Sequence, residues 1–157
     1  VSGPLLSGGY WKLPDETAKT YRDGWLRTGD MAREDEDGFW FIVDRTKDMI
    51  VTGGFNVFPR ELEDVISAHP SVAMVQVIGV PDERWGESVK AVVVLKPGIA
   101  PSDELAYELK NKVKDAKGSV QTPKSVDFVE KIPLSPLGKP DKKALRAKYW
   151  GSGRQVN

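Results

Sequence analysis

The stretch Ser88 to Leu95 (Ser-Val-Lys-Ala-Val-Val-Val-Leu) constrains the fold more than any other. Its alternation gives way to a continuous apolar run. A strand of this kind must be covered on both faces, as the central strand of a sheet is. Val72 to Val80 carries β-branched residues on both faces and predicts a second strand, separated from the first by a loop from Pro81 to Gly86. Pro97-Gly98 ends the central strand. Ser102 is placed to cap a helix reaching about Ala116, with Leu105, Leu109 and Val113 on one stripe. Upstream, Pro59 opens a helix in which Leu62, Val65 and Ile66 recur at helical spacing. Its acidic residues Glu61, Glu63 and Asp64 lie near the positive helix start, and Pro70 stops it. Asp48 to Thr52 and Phe55 to Phe58 read as short strands around a Gly53-Gly54 turn. Ser125 to Glu130 reads as a strand, and Asp141 caps a last helix containing Leu145. These elements predict an α+β fold: a small mixed sheet covered by helices, without a strict βαβ repeat.

The first 43 residues have a different texture, rich in glycine, aromatics and turn signals. Asp35-Glu36-Asp37-Gly38 is a turn followed by the aromatic, β-branched run Phe39 to Val43. The expectation is β-hairpins without enough material for their own core, forming the edge of a larger domain. No internal repeat or low-complexity segment is present.

Composition sets the outer bounds. The 157 residues suffice for one ordinary domain with a real core, and 39% hydrophobic with 29% charged residues is globular. Twenty-three basic and 23 acidic residues give no net charge to attract nucleic acid. The charge is uneven, however. From Lys110 to Arg154 there are twelve Lys or Arg against four acids, either a solvated basic face or an attraction for phosphate-rich ligands. Without cysteine there are no disulfides, thiol catalysis or thiolate metal sites, as expected of a reducing compartment. No apolar run approaches the ~18 residues of a membrane-spanning helix. The single histidine, His69, precedes Pro70 at a helix end and reads as a cap or surface residue; a zinc site is not expected.

Common catalytic motifs do not fit. Gly138-Lys139 is not a phosphate-binding P-loop, because Pro133 stands five positions before the glycine and Pro140 follows the lysine. There is no G-x-G-x-x-G, G-x-S-x-G or H-E-x-x-H. What the chain does carry is an ordered set of short segments. These are Gly24-Trp25-Leu26-Arg27-Thr28-Gly29-Asp30; Asp44-Arg45-Thr46-Lys47-Asp48 running into Gly53-Gly54, with Glu61-Leu62-Glu63 after it; Trp85-Gly86-Glu87; and Pro136-Leu137-Gly138-Lys139 followed by Leu145-Arg146.

In that order the segments resemble the carboxy-terminal part of the adenylate-forming acyl-CoA synthetases, over nearly the whole chain. The resemblance implies an AMP-forming acid–thiol ligase. Such an enzyme joins a carboxylate to ATP, rotates its small carboxy-terminal domain and lets the CoA thiol attack the adenylate. It also implies the parts played by individual residues. Asp30 matches the acid that binds the ATP ribose hydroxyls, a task suited to an acceptor-only carboxylate. Arg45 matches the arginine on the ribose or phosphate side, where its fork of donors serves. Lys47 stands at the hinge. Gly53 and Gly54 match the glycines lining the pantetheine tunnel of the CoA site. Lys139 matches the lysine that enters for adenylation, and its Pro/Gly-rich surroundings suggest a mobile loop. Trp85-Gly86-Glu87 is a family marker with a packing role. The chain has Gln121-Thr122 where the family often has an aromatic–Lys pair.

The resemblance further implies residues 1–46 as the trailing segment of the large ATP- and acyl-binding domain, 47–150 as the lid domain and 151–157 as a flexible tail. The family's Ser/Thr/Gly-rich ATP loop is not among these residues, so the chain by itself is expected to be inactive. ATP, CoA and Mg2+ would serve the full-length enzyme. Its partners would be a carboxylic acid, ATP, CoA and the large domain, with no nucleic acid, no transmembrane segment and no metal held by this chain, in a cytoplasmic setting. The closest class is the medium- or long-chain fatty-acid ligases. An aryl-CoA ligase, a peptide-synthetase adenylation domain, a luciferase-like enzyme and a non-catalytic binding module are the alternatives.

Overall fold

A computed structural model of the chain describes residues 1–150; the expected tail at 151–157 lies outside the described residues. The chain divides into two compact units between Thr46 and Lys47.

The first unit contains α1 (Pro14–Thr20), the short hairpin β1 (Tyr21–Arg22) and β2 (Trp25–Leu26), and the longer hairpin β3 (Asp30–Glu34) and β4 (Trp40–Arg45). Asp23-Gly24 joins β1 to β2 with positive φ at both residues (51° and 80°), the backbone that two-residue hairpin turns demand. At the β3–β4 turn Asp35 Oδ1 accepts from the N–H groups of Asp37 and Phe39. Hairpins dominate as expected, but α1 was not foreseen. It buries no residue, so it leaves no apolar period in the sequence. Its start has only Pro14 in the first turn followed by Asp15 and Glu16. Phe39, Trp40 and Ile42 are largely exposed, consistent with a segment that lacks a core of its own.

The second unit is built on β5 (Ile50–Thr52), β6 (Phe55–Val57), α2 (Pro59–Ser67), β7 (Val72–Asp82), β8 (Gly86–Leu95), α3 (Asp103–Lys117), β9 (Ser125–Phe128) and α4 (Lys142–Trp150). β8 is central. β7 pairs with it antiparallel from Val72↔Leu95 to Asp82↔Gly86. β5 meets its start at Thr52↔Gly86, and β9 pairs parallel with it further along, from Lys90↔Ser125 to Val93↔Phe128. The expected loop after Val80 is therefore shorter than the sequence suggests. Pro81 and Asp82 remain in the ladder, and Asp82 Oδ1 accepts from the N–H groups of Arg84 and Trp85 to close the turn.

The apolar run of β8 has the predicted consequence. Val89, Ala91 and Val93 join Val75, Val77, Leu62, Ile66, Leu109 and Val113 on one side. Val92 joins Ile78, Val80, Ile132 and Leu145 on the other. Successive residues point to opposite faces, and helices supply apolar residues to both. Ser102 caps α3, its Oγ accepting from the N–H of Leu105 at 3.2 Å. Asp141 caps α4 through the N–H of Ala144 at 3.0 Å. His69 is not a surface residue. It is buried, its Nδ1 accepts from the N–H of Ser71, and its Nε2 meets Glu108 Oε1 on α3 at 3.0 Å. Among the described residues no helix is long and apolar enough to cross a membrane.

Candidate functional site

Asp30 and Arg45 are directly opposite partners at the open end of the β3–β4 hairpin. Arg45 Nε lies 3.0 Å from Asp30 Oδ1. The backbone around them is tied down: Thr28 Oγ1 accepts from the N–H of Asp30, and Gly29 O accepts from the N–H of Thr46. The hairpin thus presents a carboxylate beside a guanidinium on an accessible rim, the Arg45 side chain being 58% exposed. The carboxylate has acceptor capacity left for a hydroxyl, and the guanidinium retains donors for an anion.

Lys47 lies in the 3₁₀ turn Thr46–Asp48 at the boundary between the units. Its carbonyl accepts from one terminal nitrogen of Arg146 at 3.1 Å, and the other terminal nitrogen pairs with the Asp48 carboxylate.

Gly53 and Gly54 form the β5–β6 turn with φ of 57° and 84°. They differ in surroundings. A Cβ on Gly53 would stand 2.5 Å from the ring of Trp85, whereas one on Gly54 would meet nothing within 4 Å. The N–H of Gly53 also donates to the Trp85 carbonyl at 3.0 Å. Glu87 braces the same turn from below, its Oε2 accepting from the N–H of Val51 at 2.8 Å while its carboxyl lies against Gly79. Trp85-Gly86-Glu87 therefore supports the glycine turn, a role its sequence position did not disclose. A cavity of about 250 Å³ opens beside it, with Gly53, Phe55, Trp85, Val120, Thr122 and Lys124 in its lining. Arg84 and Lys124 both lie over the Trp85 ring, 4.6 and 5.4 Å from its centre. Lys124 also bonds Asp82 at 2.9 Å and, with the backbone N–H of Trp85, holds that carboxyl below its usual range.

Lys139 closes a turn. The N–H of Ser135 donates to its carbonyl at 2.7 Å, its own N–H reaches Ser135 Oγ at 3.3 Å, and Leu134 bridges Pro140. The backbone is thus tied more firmly than a mobile loop would be. The side chain is exposed, and its ammonium has no partner among the described residues. Asp30 and Arg45 come together in one unit; Lys47, Gly53, Gly54 and Lys139 belong to the other and share no hydrogen bond among themselves. Among the described residues no three His, Asp or Glu side chains converge on a point.

Residues 61–139, from α2 to the lysine turn, match the family model described as the AMP-binding enzyme C-terminal domain. The chain belongs to this family. A medium/long-chain-fatty-acid–CoA ligase of Mycobacterium tuberculosis, FadD8, is 64% identical over 99% of this chain and 28% of its own length. The chain thus spans little more than a quarter of that relative. The crystal structure of ATP-bound MatB from Rhodopseudomonas palustris matches 94% of this chain and 29% of its own, at 38% identity with a TM-score of 0.83. Apo MatB matches the same shares at 39% identity with a TM-score of only 0.66. Over this stretch, the two structures of MatB therefore differ in shape from each other. The α+β architecture expected of an AMP-binding enzyme C-terminal domain is the one found.

Proposed function

We propose that the chain is the C-terminal portion of an AMP-forming acyl-CoA synthetase acting on medium- or long-chain fatty acids. The observation that carries this reading is the 64% identity to the mycobacterial ligase, which extends over 99% of the chain with the ordered segments in place. In the first half-reaction a carboxylate oxygen attacks the α-phosphorus of ATP and pyrophosphate leaves. In the second the CoA sulfur attacks the acyl carbonyl carbon and AMP leaves.

Asp30 accepts hydrogen bonds from the ribose hydroxyls, with Arg45 beside it to hold Asp30 in place and face the ribose or phosphate. Lys139 approaches the carboxylate and α-phosphate, where negative charge builds up. Gly54, with open space on its Cβ side, lets the pantetheine arm pass close to the backbone, while Gly53 makes room for Trp85. Lys47, at the boundary between the two units, serves as the hinge, and ATP and CoA are the substrates of the two half-reactions. Mg2+ would accompany ATP. A cytoplasmic setting belongs to the same reading and fits the absence of cysteine. The chain alone should not catalyse either half-reaction.

The test is Lys139→Ala in the full-length enzyme. ATP–pyrophosphate exchange should fall by about 10²–10³, the usual effect of removing one charge-stabilising contact. CoA transfer from supplied acyl-adenylate should persist. Gly54→Trp should do the reverse. If Lys139→Ala impaired neither half-reaction, the reading of this lysine would be wrong.

A further inference from the structure

Helix α4 is held to its unit by contacts that leave residues 47 and 48 aside. Leu145 is sealed in the second core cluster at 1% exposure. Lys142 meets Glu63 at 2.8 Å, and Tyr149 donates its hydroxyl to Asp127 at 2.9 Å. Trp150 Nε1 donates to the Gly79 carbonyl, also at 2.9 Å. The helix would stay docked without Arg146. Yet Arg146 extends to the first two residues of the unit, donating to the Lys47 carbonyl and pairing with the Asp48 carboxylate. Both side chains of that pair are well covered, 27% and 13% exposed.

The third donor of the guanidinium points the same way. Arg146 Nε is buried with no acceptor among the described residues. A buried N–H without a partner is unfavourable, and a methionine would fill the same volume without it. What the guanidinium gains in return lies at its two terminal nitrogens. Its planar fork fixes two acceptors relative to one another, which a single ammonium on a flexible stem does not.

We propose that Arg146 is a positioning residue for the hinge. It fastens the Lys47 carbonyl and the Asp48 side chain to α4, so that rotation is confined to backbone bonds ahead of the Lys47 carbonyl and the unit turns as one rigid body. The inference rests on the reading of Lys47 as the hinge. Arg146 touches no reacting group in this role. It acts through Lys47, and its loss would leave slack at the one place where each half-reaction needs a defined orientation.

The experiment uses the full-length enzyme with Arg146→Met, Arg146→Lys and, as a control on the same helix, Tyr149→Phe. Arg146→Met should lower kcat by about tenfold or more, misplacement of reacting groups being costly. KM for the carboxylic acid should stay within about twofold, as expected when only the catalytically competent orientation is affected. Amide hydrogen exchange over residues 45–48 should accelerate. Arg146→Lys should restore neither, and Tyr149→Phe should leave both near wild type. Wild-type kcat in Arg146→Met would overturn the proposal. So would equal changes in Tyr149→Phe, which would reduce Arg146 to a packing residue. Lys47→Pro, which fixes φ at that position, separates the two levels. If it left both half-reactions unchanged, the hinge reading would fall and this inference with it. If it blocked one half-reaction while Arg146→Met turned over normally, only the role of Arg146 would fall.

Discussion

Gly53 and Gly54 are neighbours with positive φ, but they are not interchangeable. Gly53→Ala adds a methyl 2.5 Å from a ring that is itself fixed by the Trp85 backbone, on top of the left-handed strain. Gly54→Ala carries only the strain, about 1–2 kcal/mol. We expect Gly53→Ala to be the more destabilising of the two by about 1 kcal/mol or more, as overpacking usually is, measured by urea denaturation of each variant. Equal losses would mean that Trp85 moves aside freely. Tyr149 makes a second prediction at this scale. Burial, then the hydrogen bond and the charge of Asp127, push its hydroxyl up to about 12 from 10.0. A raised pKa contributes stability that is fully present below pH 10 and is lost as pH climbs towards about 12. The difference in urea midpoint between wild type and Tyr149→Phe should therefore shrink as pH rises from 10.0 to about 12, the interval between the two pKa values. A constant difference would remove Asp127 and burial as the cause. The residues proposed for the candidate site were picked out by the ordered segments. The contacts that support them were not. Trp85 touches Gly53 across 32 positions of sequence, and Arg146 reaches Lys47 across 99, and no local pattern encodes such pairs.

At the level of elements, legibility followed burial. β7, β8, α2 and α3 each place several apolar residues in the core, and their periods announced them. α1 buries nothing and announced nothing. The extension of β7 through Pro81 and Asp82 was hidden because turn-type residues there still pair with β8. The parallel partnership of β9 with β8 follows from the α3 crossover rather than from any feature of Ser125 to Phe128. The elements are also joined by charge. Glu63 on α2 accepts from the N–H of Val77 on β7 and pairs with Lys142 on α4, both side chains being nearly covered at 13% and 14% exposure. Lys142→Met would leave that carboxylate buried with half its partners, and breaking a buried pair from one side costs about 3–5 kcal/mol. The loss should be visible as a lowered melting temperature of the chain. Lys142→Met combined with Glu63→Gln should recover part of it. If Lys142→Met melted at the wild-type temperature, water rather than Lys142 would be satisfying Glu63.

For the whole molecule, the decisive fact is the division between Thr46 and Lys47 together with a span of little more than a quarter of the matched ligase. Both residues proposed for the ATP ribose and phosphate, Asp30 and Arg45, stand on one side of that division, and the lysine proposed for adenylation stands on the other. We therefore expect the purified chain, given ATP, CoA and a fatty acid, to form neither acyl-adenylate nor acyl-CoA. Mass spectrometric detection of either product above a Lys139→Ala control would overturn that expectation. The turn that carries Lys139 adds a thermodynamic consequence. Its backbone is already fixed by Ser135 and by the Leu134–Pro140 bridge, while its side chain is free. On the proposed reading of Lys139, delivering the ammonium to a phosphate would freeze only the rotamers of one lysine, a conformational entropy cost of about 2 kcal/mol, instead of ordering a whole loop at about 1–2 kcal/mol for every residue.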